Sequence, residues 1–434
     1  MSGDSCGLEE RTAALYTTKE TRFAFRGRTF AFALSQGLFS AASIDRGSSL
    51  LLKTLSKILD EDRARGAPAP ETVLDSGCGI GVLGICAAAA LDSSRVRCQD
   101  RDQLAAVFTR HNARKNNIPP DRLSAHTEML LASPPEARWD LILSNIPAKA
   151  GKPVLEDFVI RSASLLTPQG RALIVAVNPL AAHFRLWIAK AGAPLLREEQ
   201  GPGHTVFMYG HNPLGNNALH ERGGLWDIPA YRRAAGVYQL EGVSYELDSV
   251  YGVRDFDQPG GAVRAGAKLI ARWGARLLPL SGAVLIHEPA QGHFPAWLIK
   301  YLAMLGAPLP QKVVLSGRNI LALEISRRNI AKNSQNALEI DTVPLVDLAL
   351  AWEQAALPEG CRLIAAFPEP VPQAARPFWE GMAPLLAEGG AGILCLPAWE
   401  AARSDREKHP SLARLFEAAQ KGFRAFARRK SNPR

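Results

Sequence analysis

Residues 73–85 read VLDSGCGIGVLGI: an apolar run that ends in Asp75, a turn holding Gly77, Gly79 and Gly81, and the start of an alanine-rich apolar stretch. The order is strand, tight turn, helix. Without Cβ atoms the glycines let the main chain reverse sharply and approach a ligand where a larger residue would collide, which makes this turn the floor of a nucleotide-type site. The spacing is GCGIG rather than the GxGxxG of dinucleotide-binding folds, and the carboxylate precedes the glycines. No GKS or GKT follows, which excludes a phosphate-binding P-loop.

Upstream, RFAFRGRTFAFALSQGLFS (22–40) alternates apolar and polar residues on either side of Gly27, the pattern of a β-hairpin. The same pattern returns in VYQLEGVSYELDSVYGV (237–253), with Gly27 matching Gly242 and Gly37 matching Gly252. Each hairpin is followed by a loop containing Asp and Gly and then an apolar helix, SIDRGSSLLLKTL (43–55) in one half and DFDQPGGAVRAGAKLIARW (255–273) in the other. Further on, RDQLAAVFTRHNARKNN (101–117) aligns with RNILALEISRRNIAKNS (318–334), so that Asn112 meets Asn329 and Asn116 meets Asn333. Matched segments in one order, over a repeat too long for a solenoid unit, indicate a duplicated domain. The intervening HNPLGNNALHERGGLWDIPAYRRAAG (211–236) is rich in Gly and Asn and lacks periodicity, as a linker does. The expected divisions are 1–212, a linker at 213–234, and 235–434.

A chain of 434 residues exceeds what one core usually organises, in agreement with two domains. Within each copy, short apolar runs alternate with amphipathic helices, which predicts an α/β fold with a mainly parallel sheet covered on both faces. In the first copy strands are expected near 72–75, 95–99, 123–128, 141–145 and 172–177, with a final pair at 195–199 and 205–209. Helices are expected at 82–91, 102–116, 154–166 and 180–192. With 47% hydrophobic and 21% charged residues, the composition is that of a globular protein. The N-terminus has no basic-then-apolar run, and no uncharged stretch is long enough to cross a bilayer, so a cytosolic protein without membrane partners is expected. Six cysteines form no CxxC pair and several sit in apolar runs, which predicts buried thiols and no metal. The net charge of +9 suits a polyanionic partner. It concentrates in KGFRAFARRKSNPR (421–434), for which a solvated tail and a nucleic-acid contact are both open readings.

Ligands in such sheets bind beyond the carboxyl ends of the strands, where Asp75, Asp100, Glu128 and Asn145 fall. Asp100, one βα unit after the glycines, is the natural acceptor for two ribose hydroxyls, the competing role being a cap for the next helix. Glu128 is either an acceptor for an adenine amino group or an exposed acid. In LILSNIPAKAGKPVLEDF (141–158), a buried strand runs into Ser144 and Asn145 and a turn containing Pro147. A side-chain amide beside an outward-facing carbonyl can accept both hydrogens of an exocyclic amine and aim its lone pair at an electrophile. In the second copy the turn reads VLIHEPAQGHFPAWLI (284–299), Gly317 stands at the acid position, and Ala366 and Phe367 stand near that of Asn145. Adjacent His287 and Glu288 on a strand point to opposite faces and make no metal site. The second copy is therefore expected to be a scaffold or substrate-binding domain.

VLDSGCGIGVLGI resembles the first motif of class I S-adenosylmethionine-dependent methyltransferases. SNIPAKAGK (144–152) is similar to the SNPPxxxGK segment, and GLFSAASIDRGSSLLL (37–52) to the GVFSxxxLDxGTxLLL signature, of the small methyltransferase domain family, which includes ribosomal RNA guanine-N2 methyltransferases. The resemblance covers roughly residues 20–210. It implies two tandem Rossmann-like domains, the second degenerate, with S-adenosylmethionine bound in the first. It places Asp75, Gly77, Cys78, Gly79 and Gly81 at the methionine end, Asp100 at the ribose, Glu128 by the adenine, and Gly47 with Ser48 over the site. Asn145, the carbonyl of Ile146 and the turn at Pro147 would hold the target amine. Ile146 replaces the first proline of the family motif, and Ala148 stands where many amine methyltransferases carry a stacking aromatic. The implied function is N-methylation of guanine in structured, ribosomal RNA. The alternatives are transfer to a protein glutamine amide and a non-catalytic RNA-binding or assembly factor.

Overall fold

The computed structural model describes residues 3–38, 43–132, 137–212 and 229–431, apart from 275–276, 278–279, 335–336, 354–356, 371–376 and 405–406. It divides into two compact units, Met1–Tyr231 and Arg232–Arg434. Most of the expected linker lies outside the described residues. Its last part is a 3₁₀ turn, Pro229–Tyr231, and the beginning of a strand at Arg232.

The first unit runs α1 (Gly3–Tyr16), β1 (Lys19–Phe25), β2 (Arg28–Leu34), α2 (Arg46–Ala64), β3 (Thr72–Ser76), α3 (Val82–Ala90), β4 (Arg95–Asp100), α4 (Gln103–Lys115), β5 (Leu123–Thr127) and β6 (Trp139–Ser144). It continues with α5 (Lys152–Ser164), β7 (Leu166–Val177), α6 (Ala181–Lys190), β8 (Leu195–Gln200) and β9 (His204–Gly210). Seven strands form one sheet in the order β5-β4-β3-β6-β7-β9-β8. The strands from β5 to β7 are parallel, and β9 and β8 close the edge antiparallel. From β3 the chain winds outward through β4 and β5, then returns to the other side of β3 with β6. That reversal opens a crevice at the carboxyl ends of β3 and β6.

The sequence accounts for the close packing around β3. Val73 and Leu74 are fully buried, and α3 is apolar on every side, as a helix enclosed by protein must be. A Cβ on Gly84 would lie 2.4 Å from Cys98 Sγ, so the helix can settle on β4 only with glycine there. The five cysteines whose side chains are described, Cys78, Cys86, Cys98, Cys361 and Cys395, are buried and free. No described helix is long and apolar enough to cross a membrane.

The second unit repeats the plan: β10 (Arg232–Leu240), β11 (Val243–Val250), α7 (Gly261–Trp273), β12 (Ala283–His287), α8 (His293–Met304), β13 (Lys312–Gly317), α9 (Ile320–Asn333), β14 (Glu339–Pro344) and β15 (Cys361–Ala366). It ends with α10 (Phe378–Leu385), β16 (Leu386–Pro397), α11 (Ala398–Ser404), β17 (Leu412–Gln420) and β18 (Phe423–Lys430). Its sheet order, β14-β13-β12-β15-β16-β18-β17, is that of the first unit position for position.

The matched asparagines explain part of the repeat. Asn112 Oδ1 accepts from the Ala33 N–H at 2.8 Å and its Nδ2 donates to the Ala33 carbonyl at 3.2 Å; Asn116 makes the same pair with Ala31. Asn329 holds Asp248, and Asn333 holds Glu246, in the same way. A carboxamide presents an N–H donor and an oxygen acceptor side by side, as a main-chain residue does, so two turns of α4 or α9 pair with the open edge of the hairpin strand.

Two features were not expected from the sequence. Helix α1 packs on α4, with Glu9 bridged to Arg110 at 2.6 Å and to Arg114 at 3.2 Å. The basic C-terminal segment, for which the sequence leaves a solvated tail and a nucleic-acid contact both open, is not a frayed tail over Phe423–Lys430: β18 lies between β16 and β17. Its alternation decides this against its charge. Ala425 and Ala427 are buried on one face, while Phe426 is buried on the other with Arg428, whose guanidinium lies 4.4 Å from the centre of the Trp379 ring.

Candidate active site

The turn after β3 has Gly77, Gly79 and Gly81 at φ of 76°, 55° and 87°. The N–H groups of Gly77 and Cys78 donate to the Gln99 carbonyl at 2.9 and 3.1 Å, and that of Gly81 donates to the Cys78 carbonyl at 2.8 Å. A Cβ on Gly81 would meet Thr109 at 2.9 Å, whereas one on Gly79 would meet nothing within 4 Å. Gly81 thus serves the packing of α3 against α4, and Gly79 faces open space. Cys78 contributes main chain: its thiol is buried, accepts from Thr109 Oγ1 at 3.4 Å, and has its pKa raised by burial above all.

Asp100, at the end of β4, accepts from the Gly79 N–H at 3.1 Å through Oδ2 and from the Asp102 N–H at 3.0 Å through Oδ1. Asp102 caps α4, accepting from the Leu104 N–H at 3.0 Å, so the cap role belongs to it. Burial raises the pKa of Asp100, and the bonds from Asp102 and Gly79 oppose the shift.

Asp75 occupies a different place from that expected. It is fully buried beneath the turn, where Oδ2 accepts from the Gly84 N–H at 2.8 Å and Oδ1 has no hydrogen-bond partner among the described residues. Burial pushes its pKa up to about 7. It holds the first turn of α3 from below rather than facing the crevice. Glu128 is paired rather than simply exposed: Arg97 Nη2 donates to Oε1 at 2.6 Å, and Oε2 is buried without a hydrogen bond. Its N–H bonds the Asp100 carbonyl at 2.8 Å, which keeps the two carboxylates on neighbouring strand ends.

Across the crevice, Ser144 Oγ donates to the Ser76 carbonyl at 2.6 Å and ties the end of β6 to that of β3. Asn145 follows, and its Nδ2 donates to Asp45 Oδ2 at 2.7 Å and to Ser48 Oγ at 2.9 Å. Asp45 is the N-cap of α2 and also accepts from the Ser48 N–H at 3.1 Å. Gly47 fits among these groups because it has no Cβ: one there would lie 2.7 Å from Asp45 Oδ2, 3.1 Å from His204 Cδ2 and 3.4 Å from Asn145 Nδ2. Ile146 is buried, and Pro147, at φ −66° and ψ 140°, leads into a 3₁₀ turn whose Ala148 is exposed.

The structure therefore joins Asp100 and Glu128 to the glycine turn, and joins Gly47 and Ser48 to Asn145. Three residues escaped the sequence reading. Asp45 had a local signal, an aspartate just before a helix, but its contact with Asn145 spans 100 residues. His204 approaches Gly47 from β9. Tyr231 packs among Leu130, Leu131, Val154, Asp157, Phe158 and Arg161, and burial pushes its phenol up to about 12.

The second unit keeps the backbone of this turn and fills its space. Gly292 has φ 87°, as Gly81 does, while Glu288 (57°) and Ala290 (52°) adopt the left-handed conformations of Gly77 and Gly79. For a non-glycine residue that costs about 1–2 kcal/mol each. The Glu288 carboxylate accepts from the Arg318 N–H at 2.9 Å and lies 3.2 Å from where a Gly317 Cβ would be, at the position matching Asp100. Arg318 pairs with Glu369 at 2.7 Å, and Arg254 donates to the carbonyls of Glu288 and Phe367. Among the described residues, no group of three His, Cys, Asp or Glu could hold a metal ion.

A seven-stranded sheet of this order, with a glycine turn at the reversal and an acid at the next strand end, defines a Rossmann-like class I methyltransferase fold, present here in tandem. Residues 29–191, within the first unit, match the model of the methyltransferase small domain. Among relatives, Bacillus subtilis YbxB is 29% identical over 35% of this chain and 71% of its own length. The ribosomal RNA small subunit methyltransferase C of Actinobacillus pleuropneumoniae is 32% identical over 32% of this chain, which spans 40% of that relative. The ribosomal protein L11 methyltransferase of Thermotoga maritima is 42% identical over 20% of this chain and 31% of its own. A T. thermophilus 16S rRNA N2 methyltransferase, solved with AdoMet and guanosine, matches in fold with a TM-score of 0.58 at 17% identity. That likeness covers 96% of this chain and 99% of the other.

Proposed function

We propose that the first unit binds S-adenosylmethionine and methylates an exocyclic amine, that of guanine in ribosomal RNA. The residues suit this cofactor. Gly79 leaves open the space that a Cβ would enter, and Asp100 beside it, held by main-chain N–H groups, is a carboxylate with acceptor capacity left for a ribose hydroxyl. The sulfonium supplies an electrophilic methyl group, so the protein's task is to position rather than to exchange protons.

One observation carries the reading: both hydrogens of the Asn145 amide are engaged by Asp45 and Ser48, and Asn145 can therefore offer only its oxygen to a substrate. An acceptor at that point selects a group that carries hydrogen. With the Ile146 carbonyl it can take both N–H bonds of an amine and leave the nitrogen lone pair free to attack. The net charge of +9 and the printed functions of the ribosomal RNA relatives favour RNA as the bearer of that amine.

A protein amide or amine is the second reading. It is favoured by the exposed Ala148, which offers no ring for a base to stack on, and by the L11 methyltransferase relatives. Labelled S-adenosylmethionine supplied with ribosomal RNA and with ribosomal protein separates the two. Label in RNA that disappears in Asn145→Ala, with cofactor binding kept, is the expected result. Label in protein alone supports the second reading, and cofactor binding with no label in either fraction supports a non-catalytic assembly factor.

A further inference from the structure

We propose that Asp45 is a positioning residue which, with Ser48, fixes the Asn145 amide so that its oxygen alone faces the crevice. This rests on the methyl-transfer reading above. A carboxamide is nearly symmetrical in shape but not in chemistry: turned over, it would present a donor where the target N–H also donates. Asp45 decides between the two orientations. Its carboxylate has only acceptors, and Oδ2 stands 2.7 Å from the Asn145 side chain, so the nitrogen end must face it. Ser48 Oγ takes the second hydrogen at 2.9 Å. Reversal would set the amide oxygen against the carboxylate.

The clamp is itself held. The Ser48 N–H donates to the same Oδ2 at 3.1 Å, and the Ser49 N–H donates to the Asp45 carbonyl at 3.0 Å, so the carboxylate is fixed by the first turn of α2. Gly47 lets the contact close, since a Cβ there would intrude on Asp45 Oδ2 at 2.7 Å. The aspartate that opens α2 thus serves two ends, capping a helix and orienting a residue from β6 across the crevice.

Asp45→Ser separates these roles. Serine caps a helix about as well as aspartate, so a residue that only caps would tolerate it. Its hydroxyl is shorter than the carboxylate, and with the oxygen turned to the Ser48 N–H it leaves the Asn145 amide without the acceptor that dictates its orientation. The full chain is assayed by single-turnover transfer from labelled S-adenosylmethionine to ribosomal RNA from cells lacking the protein, by calorimetry with S-adenosylhomocysteine, and by thermal melting. Asp45→Ser is expected to lose about 10-fold or more in rate, on the scale of one charge-assisted hydrogen bond. Its Kd should stay within about 2-fold and its melting temperature unchanged, and Ser48→Ala should lose less. The Asn145 side-chain amide resonances, identified by their disappearance in Asn145→Ala, should move in Asp45→Ser.

A wild-type rate in Asp45→Ser, or unmoved Asn145 resonances, overturns the positioning role while leaving methyl transfer intact. Wild-type protein that transfers no methyl group to RNA refutes the reading beneath it, and the positioning role falls with it.

Discussion

Replacing Asn112 by alanine tests the hairpin clamp and its link to the glycine turn together. Asn112 is fully buried; besides its bonds to Ala33, its Nδ2 donates to the Ile80 carbonyl at 2.9 Å, inside the turn. The substitution leaves three main-chain groups without their partner: the Ala33 N–H, the Ala33 carbonyl and the Ile80 carbonyl. At about 1–3 kcal/mol for each buried group left unsatisfied, with some relief from water entering beside the shorter side chain, the loss should be about 3–5 kcal/mol. Asn329→Ala is the matched control. It is equally buried and strands the Asp248 N–H and carbonyl and the Gln291 carbonyl, so a similar loss is expected. The two should differ in binding. Asn112→Ala frees the carbonyl that steadies the first unit's turn and should weaken S-adenosylhomocysteine about 10-fold; Asn329→Ala should leave it within about 2-fold. Urea titration by circular dichroism gives the stability and calorimetry the affinity. A loss under about 1 kcal/mol in either variant would refute the clamp, and equal weakening of binding in both would refute the assignment of the site to the first unit.

Asp75→Asn should alter the pH dependence of stability. The folded state keeps its proton up to about pH 7, whereas an unfolded aspartate releases it near 3.8, so between those values the folded state binds more protons and this group's contribution to stability falls as pH rises. The cost reaches about 4 kcal/mol at most above pH 7. Asparagine, which has no proton to release, should flatten that fall; urea midpoints at pH 5 and 7.5 that shift in parallel for both proteins would show the carboxyl is not the source. Ending the chain after Gly422 removes β18 from between β16 and β17 and should leave the second unit unfolded, whereas removing residues 432–434 alone should change its melting little. A folded second unit in the shorter protein would restore the reading of this segment as a tail.

Much of this was legible because the signals were local. The left-handed turn at Gly77, Gly79 and Gly81 follows from residue type, and the duplication followed from asparagines whose spacing two helices preserve. What escaped depended on distant contacts or on conformations the residue type disfavours. Asp45 and His204 reach the site from segments far from Asn145 in sequence. Glu288 and Ala290 hold a glycine's backbone conformation without being glycine, so nothing local marks the retained turn. In β18 the density of arginine concealed an alternation that buries Ala425, Phe426 and Ala427, because arginine stems can line a core edge while their heads remain polar. Asp75 fell on the predicted strand end, but its side chain turns toward Gly84 rather than the crevice.

The proposed division gives the cofactor site to the first unit and leaves the second with its own turn filled by Glu288. Calorimetry of the full chain with S-adenosylmethionine tests it most directly. One site per chain is expected, abolished by Asp100→Ala and untouched by Glu288→Gln. Two sites per chain, no binding, or a single site that survives Asp100→Ala would contradict it.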